Sequence, residues 1–211
     1  MHSGLPALAT ADRVALTEIL LASQNLGFLG PGPIDAQIDR SLAFGLLSDA
    51  PAHALDLGSG GGLPGLVLAL LWPATLWTLL DGSVKRTDFL RQVTADHGLS
   101  TQIRIVPERA ELAGRGPLRG TQELVVSRGF GPAAVAAECA APFLRPGGTL
   151  AVAEPPGGAP DRWPAEHLAI LGLRPLRSLT EPVALQFLEQ VVPCPEQFPR
   201  RVGIPLKRPL F

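Results

Sequence analysis

The sequence lacks an excess of charge of either sign. Over 211 residues, 18 Lys and Arg stand against 19 Asp and Glu, a formal net charge of −1. No global field therefore draws the chain onto nucleic acid or membrane, and any contact with a polyanion must come from local basic patches. Cysteine is scarce as well. Cys139 and Cys194 are the only two, far apart, outside any CxxC and away from histidine. That pattern speaks against a disulfide framework and a zinc site and for a reducing cytoplasm. The opening "MHSGLPALATADRVAL" has no charged region followed by an apolar run, so it does not read as a secretory signal. The most apolar stretch, "GLVLALLWPATLWTLL", is split by Pro73 and falls short of the ~18 to 20 residues of a membrane span. It reads as a buried helix, a turn and a buried strand. Internal repeats and low-complexity blocks are missing too. With 46% hydrophobic and 18% charged residues, the chain has the composition of a folded protein. Its length suits one α/β domain with a modest extension.

What is present alternates. Residues 10–23 carry Val14, Ile19, Leu20 and Leu21, and residues 34–48 carry Ile34, Ile38, Leu42 and Leu46, both at helical spacing. "GFLGPGP" between them is a loop. Then "ALDL" reads as a buried strand and "PGLVLALLW" as a helix with Pro64 in its first turn, where a missing N–H costs little. "TLWTLLD" is a second strand. "SVKRTDFLRQVTADHGL" is an amphipathic helix, with Ser83 as candidate N-cap and Gly98 just past its end. "TQIRIV" and "ELVVS" are strands, "PAAVAAECAAPFL" an Ala-rich helix, "RPGG" a turn and "TLAVAE" a strand. "PAEHLAILGL" is helical, and "LRPLRSLT" and "QFLEQVVPC" close the sheet. Such alternation predicts a mostly parallel sheet with helices on both faces and its ligand beyond the carboxyl ends of the strands.

One of those ends carries "DLGSGGGLPG", residues 56–65. Gly60, Gly62 and Gly65 satisfy the dinucleotide fingerprint G-x-G-x-x-G, with Asp81 at the distance of a ribose-binding acid. A nicotinamide enzyme is therefore one reading of the loop, and a plain tight turn is another. No Lys-Ser or Lys-Thr follows, which excludes a nucleotide-triphosphate P-loop. Asp56, Gly58, Gly60 and Gly62 also spell D-x-G-x-G-x-G, the first motif of class I methyltransferases, whose ligand is S-adenosylmethionine (SAM). A nearby acid suits that sulfonium cation and would repel a pyrophosphate. Asp81, ending the second strand, can accept hydrogen bonds from both ribose hydroxyls.

"DLGSGGGLPGLVLAL", "LLDGSVKRTDFLRQV", "ERAE", "VVSRGF" and "FPRRVGIPLKRPL" follow one another in an order and spacing that resemble the RsmG family, also called GidB. These are SAM-dependent methyltransferases of a guanine N7 in 16S ribosomal RNA. "FLGPGPIDAQIDRSLAF" is similar to the actinobacterial form of the family's N-terminal segment. The resemblance implies a Rossmann-like class I fold with a seven-stranded sheet. A helical extension over residues 1–50 would precede a methyltransferase domain over 51–211. It further implies that Gly58, Gly60 and Leu63 meet SAM, that Asp81 holds its ribose, that Ala110 and Glu111 bracket its adenine, and that Arg128 completes the cofactor side. Three positions depart from the family's pattern. Ser41 stands where a histidine is usual and Gly129 where an alanine is. Glu154 replaces a lysine, placing an anion near where RNA should lie.

Methylating N7 needs orientation more than acid or base help, and the sequence offers no catalytic dyad. His2, His53, His97 and His167 have no carboxylate or nucleophile partner in view, and Ser59 has no base. For RNA phosphates the candidates are Lys85, Arg86 and Arg91, and a C-terminal set of Arg200, Arg201, Lys207 and Arg208 in a stretch without acids. Phe130 and Phe198 are candidates for stacking on an extruded base. The expected protein is a cytoplasmic monomer acting on 16S ribosomal RNA or a small-subunit precursor. A methyltransferase for another acceptor, or a silent SAM-binding module, is the alternative.

Overall fold

The computed structural model describes residues 4–46 and 50–211. Strands β1 (His53–Leu57), β2 (Leu76–Leu80), β3 (Ile103–Val106), β4 (Gln122–Ser127), β5 (Leu144–Ala153), β6 (Leu173–Leu179) and β7 (Leu185–Gln190) form one sheet in the order β3-β2-β1-β4-β5-β7-β6. The first five run parallel; β7 is antiparallel to both neighbours, β5 and β6. The short link over residues 180–184 forces that reversal, because parallel strands need a long crossover. The fold is the seven-stranded, mostly parallel sheet that the alternating pattern predicts.

Strand side chains alternate between two cores. Ala54, Leu124, Val126 and Ala151 join the core on one face, and Leu55, Leu57, Val125, Leu150 and Val152 the core on the other. Both faces are covered over β1, β2 and β4, which are buried along nearly their whole length, whereas the edge strand β6 (LRPLRSL) is mostly exposed. Helices α1 (Thr10–Asn25), α2 (Ile34–Leu42), α3 (Gly65–Leu71) and α4 (Val84–Asp96) supply the first core. Helices α5 (Ala110–Ala113), α6 (Ala133–Ala140) and α7 (Ala165–Ala169) and the C-terminal segment carrying α8 (Ile204–Lys207) cover the second face. No helix among the described residues is long and apolar enough to cross a membrane.

Details depart from the sequence pattern. The inward stripe of α1 is Leu16, Ile19, Leu20 and Ser23, spaced i, i+3, i+4, i+7, whereas Val14 and Leu21 are exposed. The second helix ends at Leu42 and tightens into a 3-10 turn to Leu46; residues 47 and 48 of the expected helix lie outside the described residues, as does His2. "RPGG" is no separate turn but part of β5, whose register against β4 shifts there. Ser83 does precede α4, yet its side chain makes no capping bond. Gly98, just past that helix, has φ +69°, a conformation that side-chain-bearing residues resist.

Candidate active site

The order in which strands enter the sheet reverses between β1 and β4. Carboxyl strand ends at such a point leave a crevice. A cavity of about 440 Å³ lies at these ends, within the range of small-molecule sites. Gly58 follows β1, Asp81 follows β2, Ala110 and Glu111 lie beyond β3, and Gly129 and Phe130 lie beyond β4; all six line it.

The glycine loop is shaped by close approaches on both sides. Gly58 and Ser59 both donate their backbone N–H to the Leu80 carbonyl, at 2.9 and 3.0 Å, so the loop turns over the end of β2. Gly58 has φ +73°, and a Cβ there would stand 2.5 Å from Phe130 Cδ2. Gly61 faces the other way: a Cβ would meet Ser23 Oγ at 2.1 Å, and that hydroxyl donates to the Gly61 carbonyl at 3.0 Å. The bare backbone therefore serves the N-terminal helix as well as the cavity, a partner that the local sequence did not reveal. Ser59 Oγ donates to the carbonyls of Asp56 and Leu80, so this serine is tied into the turn.

Three carboxylates, Asp81, Glu108 and Glu111, and two guanidinium groups, Arg86 and Arg109, line the cavity. Asp81 Oδ2 accepts the Gly60 N–H at 2.9 Å and Oδ1 accepts the Ser83 N–H at 2.8 Å, with Arg86 Nη1 at 3.7 Å. A carboxylate has about four lone-pair sites, so Asp81 keeps acceptor capacity for a ligand's hydroxyls. Glu111 is more committed: its Oε1 accepts the Gly203 N–H at 2.9 Å and Arg109 Nη2 at 3.3 Å. Burial pushes its pKa up, but those donors outweigh burial and hold it below the ordinary value. Arg86 and Arg109 each lie beside one of the acids, and the three carboxylates leave the lining net anionic, which suits a cationic ligand with hydroxyls, as SAM is, better than a pyrophosphate.

Asp56, the acid of the glycine motif, is elsewhere. It is fully buried, and its Oδ2 accepts the Gly65 N–H at 2.8 Å, satisfying the first turn of α3. Leu63 is a core residue at 4% exposure. Gly60 meets the cavity through its bond to Asp81. Arg128 turns away: its Nη2 donates to Gln37 Oε1 at 2.9 Å and its Nη1 to Ser41 Oγ at 3.5 Å, on α2. Burial, then the charge of Arg40, lowers its pKa from the usual guanidinium value. Arg128 lines a second cavity, of about 630 Å³, which shares only Gly129 and Phe130 with the first.

Two charges named from the sequence take other roles. Arg200 is engaged by the fully buried Glu138: its backbone N–H and Nε reach Oε1 at 2.9 and 2.8 Å, and its Nη2 reaches Oε2 at 2.6 Å. Its guanidinium is thus committed to a structural ion pair, with 27% of the side chain left exposed. Arg201 and Lys207, on the same strap, are exposed and make no side-chain hydrogen bond or ion pair among the described residues. Glu154 is no anion presented to solvent. Its side chain is 3% exposed and accepts Arg162 Nη1 at 2.8 Å and Trp163 Nε1 at 3.1 Å. Of the two stacking candidates, Phe198 is in the core, while Phe130 forms the wall between the cavities. Leu206, beside Lys207, reaches the first cavity unforeseen. Both cysteines are buried; burial raises both thiol pKa values, that of Cys194 to about 11.

Comparison with known proteins agrees with this geometry. The family model described as GidB, rRNA small subunit methyltransferase G, matches residues 36–154. A protein named ribosomal RNA small subunit methyltransferase G from Prochlorococcus marinus (strain MIT 9313) is 36% identical over 169 residues, 76% of this chain and 68% of that one. Its counterpart from Chloroflexus aggregans is 37% identical over 171 residues, 76% of this chain and 71% of that one. Among solved structures, the T. thermophilus 16S rRNA N2 G1207 methyltransferase, in complex with AdoMet and guanosine, superimposes with a TM-score of 0.51 at 24% identity. The match covers 76% of this chain and 40% of that one, and shows the shared fold. The chain belongs to the GidB family, rRNA small subunit methyltransferase G, and is a SAM-dependent methyltransferase.

Proposed function

We propose that this protein methylates N7 of a guanine in 16S ribosomal RNA, in the cytoplasm, on the small subunit or its precursor. The observation that carries the reading is the pair of cavities meeting at Gly129 and Phe130, the first of them lined by Gly58, Asp81, Ala110 and Glu111. Bound in the first cavity, SAM supplies an electrophilic methyl group on a sulfonium. Asp81 accepts the ribose hydroxyls with the lone pairs that Gly60 and Ser83 leave free. Gly58 admits the ligand close to the backbone, and Ala110 and Glu111 border the adenine. Leu63 acts from beneath, by packing the loop into the core.

Guanine N7 carries an in-plane lone pair and needs no base to expose it. The positive charge moves from sulfur to the purine, so no proton has to leave at the moment of transfer. The residues therefore hold two ligands in line and keep water out, and Phe130 is placed to do both. Such orientation can lower a barrier by about 7–11 kcal/mol. Arg201 and Lys207 contact RNA phosphates, fixing position while leaving base choice to the pocket.

The test is a nucleoside mass profile of 16S ribosomal RNA from strains with and without the gene. Loss of one 7-methylguanosine, restored by the purified protein and SAM, is the expected outcome. An unchanged profile would overturn the assignment.

A further inference from the structure

Polar groups that line the second cavity are incompletely paired among the described residues. Ser127 Oγ is buried with no hydrogen-bond partner among the described residues. Buried hydroxyls without partners are costly unless something else fills the need. Among the described residues, Arg128 has only the neutral Gln37 and Ser41 as side-chain partners, which use two of its five N–H donors. Glu154 has one donor on each oxygen, leaving a lone pair on each, and Arg162 and Trp163 fix its orientation. Phe44, Val152, Pro182 and Val183 supply apolar walls.

We infer that this cavity receives the acceptor base as a guanine, and that Glu154 is the residue that selects it. The inference rests on the methyltransferase reading above and adds how the acceptor is recognised. Strand order carries the argument. Ser127 ends β4 and Arg128 follows it, next to the shared wall, and Glu154 follows β5, one strand further from the donor cavity. Neighbouring strands lie about 4.8 Å apart, a distance comparable with the width of a purine. Around a guanine the edge runs N7, O6, N1–H, N2–H₂: acceptor, acceptor, donor, donor. With N7 at the Gly129–Phe130 wall, O6 meets the donors of Ser127 and Arg128, and N1–H and N2–H₂ meet the carboxylate of Glu154. Adenine offers a donor where O6 would be and an acceptor where N1–H would be, so it meets mismatched groups at both strands. Hypoxanthine keeps O6 and N1–H but lacks the 2-amine.

The experiment is calorimetric titration of the protein, saturated with S-adenosylhomocysteine, with guanosine, inosine and adenosine 5′-monophosphates. Guanosine monophosphate is expected to bind at least tenfold more tightly than the other two. Glu154→Gln should abolish that preference while leaving affinity for SAM within twofold, and Ser127→Ala should weaken guanosine monophosphate several-fold. Equal binding of the three nucleotides, no binding of any at millimolar concentration, or a preference that survives Glu154→Gln would overturn the inference. Should Glu154→Gln fail to fold, the guanosine–inosine comparison on the unaltered protein still decides, because it removes the amine from the ligand instead. Methyl transfer to 16S ribosomal RNA is measured separately. Transfer without nucleotide preference sinks the inference alone, and preference without transfer sinks the ribosomal assignment alone.

Discussion

Asp81 and Gly60 are bound to each other across the mouth of the donor cavity: the Gly60 N–H donates to Asp81 Oδ2 over 2.9 Å. The acid that faces the ligand is thus also the acceptor that fixes the glycine turn, and ligand binding and loop shape share one side chain. Asp81→Ala should weaken SAM binding by about 1–3 kcal/mol, the cost of leaving polar groups unpaired. It should also lower the melting temperature of the ligand-free protein, because Gly60 and Ser83 lose their acceptor. Calorimetry with SAM measures the first effect; an unchanged dissociation constant would refute the ribose contact.

Gly58→Ala combines two costs. The backbone at φ +73° resists a Cβ, at roughly 1–2 kcal/mol, and the new methyl would strike the Phe130 ring. Melting temperature and SAM affinity should both fall. In a Phe130→Ala background the clash disappears while the backbone cost stays, so the Gly58→Ala penalty should shrink without vanishing. A double-mutant cycle reads the coupling directly; additive penalties would show that the ring does not press on the loop.

The C-terminal strap separates stability from RNA binding. Arg200→Ala leaves Glu138 as an unpaired charge at 0% exposure, and breaking such a pair costs about 3–5 kcal/mol. Arg201→Ala with Lys207→Ala should change stability by no more than about 0.5 kcal/mol per substitution. That double variant should bind RNA more weakly, with a salt dependence flatter by about 0.7 for each phosphate no longer neutralised. Urea unfolding and binding across a salt series test the two halves. An RNA defect confined to Arg200→Ala would reverse the assignment.

Asp56 predicts a pH dependence of stability. Burial pushes its carboxyl up to about 7 from an ordinary 3.8, against the Gly65 N–H, which pulls it down. Between those values the folded chain holds a proton that the unfolded chain has released. Its contribution therefore falls as pH rises and levels off once the folded carboxyl has also ionised. Asp56→Asn removes this titration and keeps an acceptor for Gly65. Relative to the parent chain, the variant should gain on the order of 2–4 kcal/mol from about pH 4 to about pH 8. Denaturant midpoints across that range check it; a constant difference would mean that Asp56 ionises at its ordinary pKa.

Much of the fold was legible because its signals are local. Strand runs such as "ALDL" and "ELVVS" are apolar because two covered faces demand it, and the glycines at 58, 60 and 62 mark positive-φ positions that only a sharp strand-to-helix turn requires. Asp81 was legible as the acid that ends the second strand, Ala110 and Glu111 only through the family resemblance, and the sheet brings all three to one cavity. The phase of α1 was not, because Val14 and Leu21 are as apolar as Leu16 and Leu20 and only packing tells them apart.

The sequence by itself determined the order of elements, the glycine turn and the family, since spacing and backbone permissiveness are properties of neighbouring residues. The tertiary structure alone decided what each charge does. Arg200 is neutralised by Glu138, 62 residues away in the chain, and Arg128 meets Gln37 across 91. The physical reason is that a charge is defined by the partners and solvent within a few ångströms of it. For these side chains, those neighbours come from distant elements that only folding brings together.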